Sequence, residues 1–302
     1  MTALRDMLLV AGFDLRASLR SWKAMGLLAL YLAGAMAATA GFVTFLRELE
    51  NALADQLGVA QTEQPGAMAQ ELMQSPETLE LLGGLLGDAQ LASELVSIPP
   101  LALFYFATTL LMLPALVMVT SADAISAERA TGAARFVLSR TTLGAYVCGK
   151  ALGQLTLLAL GIAAAGLGAW LVGFFSLNSF QGGDNALWIL RLGLRTLPWG
   201  AAWLGLALGV SQVTRHWVAS LAAALVMLVL VGGTGQALLH LDWLAENAPL
   251  VPELLAPLFP AAHKIDLYRP ELSSRLSASA MLLTLGASWA ALGAWRLSRV
   301  DA

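Results

Sequence analysis

The sequence predicts an all-α polytopic membrane protein, because the chain is too apolar for water and its apolar residues lie in long runs. Of its 302 residues, 58% are hydrophobic and only 12% are charged, whereas about 25% of residues are charged in typical soluble domains. A transmembrane helix needs about 20 apolar residues. Six runs suit this length, at residues 24–46, 99–121, 151–175, 196–213, 217–239 and 278–297.

The first apolar run can also be interpreted as a secretory signal peptide. Lys23, an apolar stretch over residues 25–35 and the sequence Ala35-Met36-Ala37 imitate the three regions of such a signal. The apolar run continues through Phe45 to the full length of a span. A retained first transmembrane helix is therefore favoured.

The positions of the basic residues predict the orientation of the spans, since Lys and Arg are enriched in cytoplasmic loops. With the N-terminus inside, eleven of the 17 Lys and Arg residues are cytoplasmic. This places the loop 122–150 and the tail 298–302 in the cytoplasm, and the loops 47–98, 176–195 and 240–277 outside. We expect a multi-pass protein of the cell membrane, in bacteria the inner membrane.

Arg191 and Arg195 oppose this orientation, since they precede the fourth span on its outer side. They lie one helical turn apart on one face. Two interpretations stay open: the side chains extend outward to the interface, or they line a protein-facing groove or transport pathway.

The segment before the first span, residues 1–23, has the pattern of an amphipathic helix. Its apolar residues recur at helical spacing, and most of its arginines fall on other faces. The pattern is typical of an interfacial helix whose apolar stripe enters the membrane lipid and whose arginines meet anionic headgroups. A cytoplasmic helix packed on a partner explains it equally well.

Two outer segments carry structure of their own. Residues 47–98 contain a helix start at Ser75-Pro76-Glu77 and an earlier helical pattern at Leu49, Leu53 and Leu57, which predicts a small helical cap. Residues 240–277 contain five prolines between short apolar stretches. Such stretches are too short to span, and we expect re-entrant helices, with a surface amphipathic segment as the alternative.

Small residues on two spans predict close helix contacts. Gly205 and Gly209 form a GxxxG pair, and Gly286, Ala290 and Ala294 repeat at the same spacing. Without large side chains, two helix backbones approach closely in a membrane.

A catalytic centre is not indicated. Residues 144–150 fit the first seven positions of a P-loop, but Ala151 replaces the magnesium-binding hydroxyl and no strand precedes it. The single cysteine and three scattered histidines give no metal-ligand spacing. The net charge of −3 gives no nucleic-acid footprint, and the predicted spans contain no Asp or Glu to couple ion flow. If the chain transports, the energy therefore comes from another subunit.

The loop 122–150 carries the one distinctive motif: an acid, a Glu-Arg pair, a glycine, an apolar pair and a final Gly-Lys. This order resembles the loop between the second and third helices of type-2 ABC transporter permeases. The family often has a proline near Thr141 and a threonine where this chain has Ala133. The matching residues are Asp123, Glu128, Arg129, Gly132, Val137, Leu138, Gly149 and Lys150.

The resemblance implies the membrane-spanning subunit of an ABC exporter. In such a complex the loop is a coupling helix that binds a separate ATPase, which holds the ATP and Mg²⁺, and two permease subunits pair. This chain would then have no cofactor of its own. The alternatives are an intramembrane enzyme or a non-transporting scaffold that passes ATP-driven motion to a periplasmic partner. The residues expected to meet the ATPase are Asp123, Glu128, Arg129, Gly132 and Arg135.

Overall fold

The N-terminal third of the chain begins with two helices, α1 (Thr2–Arg20) and α2 (Trp22–Leu57). The computed structural model describes residues 2–57, 93, 95–177, 180–240, 250–269 and 271–300. In these ranges the regular elements are all helical, which confirms the predicted all-α class. Ser21 separates the two helices, and its hydroxyl accepts a hydrogen bond from the backbone N–H of Ala24 at 3.1 Å, as an N-cap does.

Helix α2 is longer than the predicted span 24–46. Residues 47–57 contain neither Gly nor Pro and are rich in good helix formers, so the helix continues without a break through Leu49 and Leu53 to Leu57. The separate helix predicted there is thus the end of α2. The helix start predicted at Ser75-Pro76-Glu77 lies outside the described residues.

Helix α3 (Pro100–Ser121) agrees with the predicted span 99–121. Two short helices follow, α4 (Ser126–Thr131) and α5 (Ala133–Leu138). Helix α6 (Leu143–Ser176) then begins eight residues before the predicted span 151–175, because Thr142 caps it by accepting a hydrogen bond from the N–H of Ala145 at 3.2 Å. The predicted loop 122–150 therefore ends inside a helix.

Helix α7 (Gly182–Val213) includes both the predicted span 196–213 and most of the predicted outer loop 176–195. Among the described residues, five helices are long and apolar enough to cross a membrane, namely α2, α3, α6 and two later ones, and α7 is not one of them. The charged Asp184, Arg191 and Arg195 and the polar Gln212 lower its hydropathy, and within residues 196–213 the polar Thr196, Ser211 and Gln212 are fully buried. A helix covered by protein does not need a lipid-facing surface.

The two later spanning helices are α8 (Trp217–His240) and α10 (Leu272–Val300), which contain the predicted spans 217–239 and 278–297. Between them lie α9 (Leu250–Leu255) and three 3₁₀ turns, Ala256–Leu258, Pro260–His263 and Ile265–Leu267. The turn Pro260–His263 packs against both α8 and α10. Within the segment predicted to hold re-entrant helices, residues 250–267 thus form short helical pieces.

The chain divides into two units, which we describe separately. The first comprises Met1–Leu27, Met112–Ala159 and Thr196–Ala302. Its tightest packing joins α7 to α10, where a Cβ on Gly205 would overlap the backbone carbonyl of Gly286, and one on Gly209 would lie 2.6 Å from the carbonyl oxygen of Trp289. The close contact predicted from the small residues is confirmed.

The second unit comprises Leu28–Leu111 and Leu160–Arg195. Phe42 of α2 stacks on Phe104 of α3, with ring centroids 4.3 Å apart. The Tyr105 hydroxyl donates to the carbonyl of Ile162 at 2.7 Å, and the Arg47 guanidinium donates to the carbonyl of Ser176 at 2.5 Å. Aromatic stacking, a side-chain hydrogen bond to the backbone in the middle of α6 and a capped carbonyl at its end thus contribute to the packing of this unit.

Candidate functional site

The candidate site is the pair of short helices α4 and α5, which lies in the first unit between α3 and α6. Gly132 joins the two helices with a left-handed backbone, φ 79° and ψ −2°, and its N–H donates to the carbonyl of Arg129. Glycine adopts this conformation without a steric penalty. Gly132 thus ends the short helix α4 and begins α5.

Helix α4 is fixed to the end of α7 by hydrogen bonds in both directions. The Ser211 hydroxyl accepts from the backbone N–H groups of Ile125 and Ser126, both at 3.0 Å, and so satisfies donors that the start of α4 leaves without a partner. The Arg129 guanidinium donates to the carbonyls of Gln212 at 2.6 Å and Thr214 at 3.1 Å. It thereby caps the C-terminal end of α7, where a cation is favoured.

Lys150 is the centre of a buried polar cluster that joins α4 to α1 and α6. Its ammonium group donates to Asp14 at 2.6 Å and to Glu128 at 2.5 Å. Only 5% of the Lys150 side chain and 7% of the Asp14 side chain are exposed, while Glu128 is 25% exposed. The Tyr146 hydroxyl also donates to Glu128, at 2.6 Å. We call Asp14, Glu128, Tyr146, Lys150 and Gln154 the Lys150 cluster.

The cluster extends along the contact between α1 and α6. The Gln154 amide donates to Asp14 at 2.7 Å and accepts from the Ser121 hydroxyl at 3.2 Å. The two helix backbones meet closely here, since a Cβ on Gly149 would lie 2.8 Å from the carbonyl oxygen of Met7. Helix α1 therefore packs on its own chain through this face.

The other face of α1 is open. Leu4, Leu8, Leu9 and Phe13 are all more than half exposed, so these apolar side chains are available for contact with membrane lipid. Ala11, which belongs to the predicted apolar stripe, is instead buried. A cleft of about 530 Å³ lies between this helix and the α4–α6 segment, and Phe13, Arg16 and Val137 are part of its lining.

The α4–α5 element also exposes residues that the Lys150 cluster does not use. Phe136 is 79% exposed, and Arg135 and Arg140 are exposed on either side of it in the chain. A large apolar ring flanked by cations is a suitable contact for another protein. We call Arg135, Phe136 and Arg140 the α5 surface.

The other predicted site residues are dispersed. Asp123 forms an ion pair with Lys23 at 2.6 Å, with the Asp123 side chain 23% exposed. Arg191 and Arg195 lie on α7 in the second unit, and the Arg191 guanidinium stands 5.6 Å from the Trp188 ring centroid. Arg191 is exposed and Arg195 is half-buried.

The stretch that imitates a P-loop, residues 144–150, lies within α6. A phosphate-binding loop aims its backbone N–H groups at the phosphate, whereas here the backbone is helical. Lys150, the lysine of that pattern, is instead bound by Asp14 and Glu128.

Sequence reasoning did not find the Lys150 cluster, although one signal was present. Tyr146, Lys150 and Gln154 recur every four residues at the start of an otherwise apolar helix, so they share one face. Asp14 and Ser18 have the same spacing on α1. A polar stripe at the end of an apolar helix indicates a buried polar partner.

Comparison with known proteins agrees with this architecture. The sequence matches the family described as ABC-2 family transporter protein over residues 8–297. The chain therefore belongs to this family and is a membrane-spanning permease subunit of an ABC transporter. Membership implies an ABC ATPase as its partner. No curated protein matches the sequence.

Proposed function

We propose that this permease subunit couples ATP hydrolysis on a separate ATPase to export, and that the α4–α5 element receives the motion of the ATPase. The α5 surface would contact the ATPase directly. Phe136 of this surface is exposed and lies in the segment between α3 and α6, outside both helices. This exposed ring is the observation that best supports the assignment.

The Lys150 cluster gives the proposed motion a route into the spans. Glu128 on α4 and Asp14 on α1 share one ammonium group on α6, so a displacement of α4 would pull on both other helices. Arg129 and Ser211 connect α4 to α7 in the same way. Glu128 and Arg129 would then act as positioning residues, because their polar groups are already bound within the chain.

The rest of the proposal follows the family resemblance and the distribution of basic residues. Two copies of the chain pair with two ATPase subunits in the bacterial inner membrane. Both termini and the α4–α5 element face the cytoplasm, since eleven of the 17 Lys and Arg residues are then inside. The chain itself hydrolyses no ATP.

The test compares Glu128→Ala with Glu128→Gln in the assembled complex. Glutamine keeps one acceptor oxygen for the Lys150 ammonium and an amide N–H that can donate to the Tyr146 hydroxyl, whereas alanine removes both contacts. We expect Glu128→Ala to uncouple ATP hydrolysis from transport and Glu128→Gln to retain most of the coupling. Equal coupling in both variants and the wild type would contradict a positioning role.

Transport itself separates an exporter from a scaffold. Inside-out vesicles that contain the complex should accumulate substrate when ATP is added. ATP hydrolysis stimulated by this subunit without movement of any candidate substrate would favour the scaffold, which passes motion to a periplasmic partner.

A further inference from the structure

A second cleft lies in the first unit, between α7, α8 and α10, and has a volume of about 360 Å³. Its walls are almost entirely apolar. The polar residues among its lining are Thr214 and Arg296; Thr214 directly follows α7, and Arg296 lies near the end of α10. The apolar lining includes Leu206, Val210, Met227, Trp289 and Leu292.

The cleft exists because small residues face each other on the helices that form it. Gly209 of α7 and Gly293 of α10 both line it, and Ala223 lines it from α8. A Cβ on Gly293 would lie 2.8 Å from the Cα of Gly209. The backbones of α7 and α10 are therefore in contact, and the space beside that contact holds no side chain.

One end of the cleft has the features of a membrane interface. Trp217 and Trp295 are 56% and 55% exposed, and amphipathic Trp rings favour the level of the lipid headgroups. Arg215 follows Thr214 in the chain and is exposed, as is Arg296. Arg296 forms no ion pair with any of the described residues.

Arg299 lies one turn further along α10, but its guanidinium contacts an aromatic ring instead of facing the cleft. Its guanidinium stands 4.2 Å from the centroid of the Trp295 ring, a cation–π contact. It is not among the residues that line the cleft. Arg296 therefore supplies the cationic group at the mouth of the cleft.

We propose that the cleft binds one anionic phospholipid, with an acyl chain along the α7–α8–α10 wall and the headgroup phosphate at Arg296. The occupant must be apolar along α10 from Trp289 up to Arg296, and these two residues are about 10 Å apart along the helix axis. It must carry negative charge at the end where the arginine lies. A phospholipid with an anionic headgroup meets both requirements, and basic pockets between transmembrane helices bind such headgroups.

The test uses the full chain, purified in detergent and delipidated. Phosphatidylglycerol and phosphatidylcholine with identical acyl chains are added separately, and the bound lipid is counted by native mass spectrometry. We expect phosphatidylglycerol to bind more tightly. Arg296→Gln should weaken phosphatidylglycerol binding about fivefold, as expected for one basic residue at a membrane surface, and weaken phosphatidylcholine binding less, because the choline cation already offsets the charge of its phosphate.

Two matched controls separate the cleft from its surroundings. Arg299→Gln removes a charge from the same end of α10 without touching the lining and should bind phosphatidylglycerol like the wild type. Ala223→Phe should fill the cleft and reduce binding of both lipids, whereas Val226→Phe, at a position 57% exposed outside the lining, should not. Circular dichroism checks that each variant is folded.

Equal binding of the two lipids, or wild-type binding by Arg296→Gln, would overturn the proposal. A second copy of the chain is the competing occupant. In a Cys148→Ser background, a cysteine at Ala223 that forms a disulfide between two copies in membranes would assign the cleft to a subunit interface and also reject the lipid site.

Discussion

Lys150 holds a positive charge where almost no water reaches it, and its two acidic partners make that burial tolerable. Asp14 is equally buried and Glu128 only partly exposed. Taking a charge out of water costs several kcal/mol unless a partner compensates it. The cluster therefore favours one arrangement of α1, α4 and α6, since moving any of them leaves a charge unpaired.

Lys150→Met should destabilise the protein strongly. Methionine keeps much of the side-chain volume but leaves Asp14 and Glu128 without their cation. Breaking a buried ion pair by removing one partner costs about 3–5 kcal/mol. The measurement is the midpoint of thermal unfolding of the purified chain in detergent.

Lys23→Met is the matched control, since Lys23 pairs with Asp123 at the same 2.6 Å but is 47% exposed. Exposed pairs contribute only about 0–1 kcal/mol, so its midpoint should hardly change. If both variants lower the unfolding midpoint equally, the Lys150 cluster contributes no more to stability than an exposed ion pair does, which would contradict the prediction.

At the scale of the element, Gly132 sets the angle between α4 and α5. A Cβ there would meet nothing within 4 Å, yet the backbone φ is +79°. Gly132→Ala should therefore cost about 1–2 kcal/mol through the backbone alone, with Gly132→Asn costing less because Asn tolerates this region better. Thermal unfolding measures the loss.

Gly144→Ala is the control for this prediction. Gly144 lies in α6, has helical φ and also has open space around its Cβ position, so alanine should be neutral or slightly stabilising there. A loss at Gly144 as large as that at Gly132 would contradict a conformational origin.

The contact between α7 and α10 should be intolerant of any side chain at Gly205. Gly205→Ala places a methyl group against the backbone of Gly286, and backbone cannot move aside without separating the helices. Overpacking of this kind costs about 1–3 kcal/mol. Gly233→Ala on α8, where the space is open, should retain the wild-type melting midpoint, and a matching loss in both would contradict the packing argument.

These elements show which features sequence reasoning reaches. The four-residue spacing of Gly205 and Gly209 predicts a face suited to close helix contact, whereas the structure is needed to show that the contacting helix is α10. The left-handed Gly132 follows from its place after a short helix. Helix ends are harder to predict, since hydropathy indicates which residues can face lipid and not where the backbone stops being helical. Thr142 starts α6 well before the apolar run begins.

The Lys150 cluster could not be predicted for a different reason. Asp14 lies 136 residues from Lys150, and Glu128 lies 22 residues away. Helical spacing identifies neighbours on one helix only. Partners that lie on three different helices can be identified only from the packed structure. Glu128 and Arg129, which the family resemblance predicts to contact an ATPase, also bind Lys150 and the carbonyl of Gln212 within the chain, and helical spacing does not reveal these partners.

At the scale of the whole molecule, the orientation in the membrane is open to a direct test. In a Cys148→Ser background, a cysteine at Ser139, exposed at the end of α5, should react with a membrane-impermeant maleimide only in inside-out vesicles. A cysteine at Gln64 should react only in spheroplasts, in which the outer membrane has been removed and the inner membrane is intact. The opposite labelling pattern would show that the topology is reversed. The distribution of Lys and Arg would then not predict the orientation of this chain.

The central claim is that the ATPase binds the α5 surface. Its most direct test is co-purification of the ATPase with Phe136→Asp, in which a carboxylate replaces the exposed ring between Arg135 and Arg140. Leu258→Asp is the matched control, since Leu258 is 57% exposed in a 3₁₀ turn between α8 and α10. Phe136→Asp should insert into membranes normally but lose the ATPase, while Leu258→Asp retains it. Normal ATPase recovery with Phe136→Asp, or equal loss from both variants, would contradict the claim.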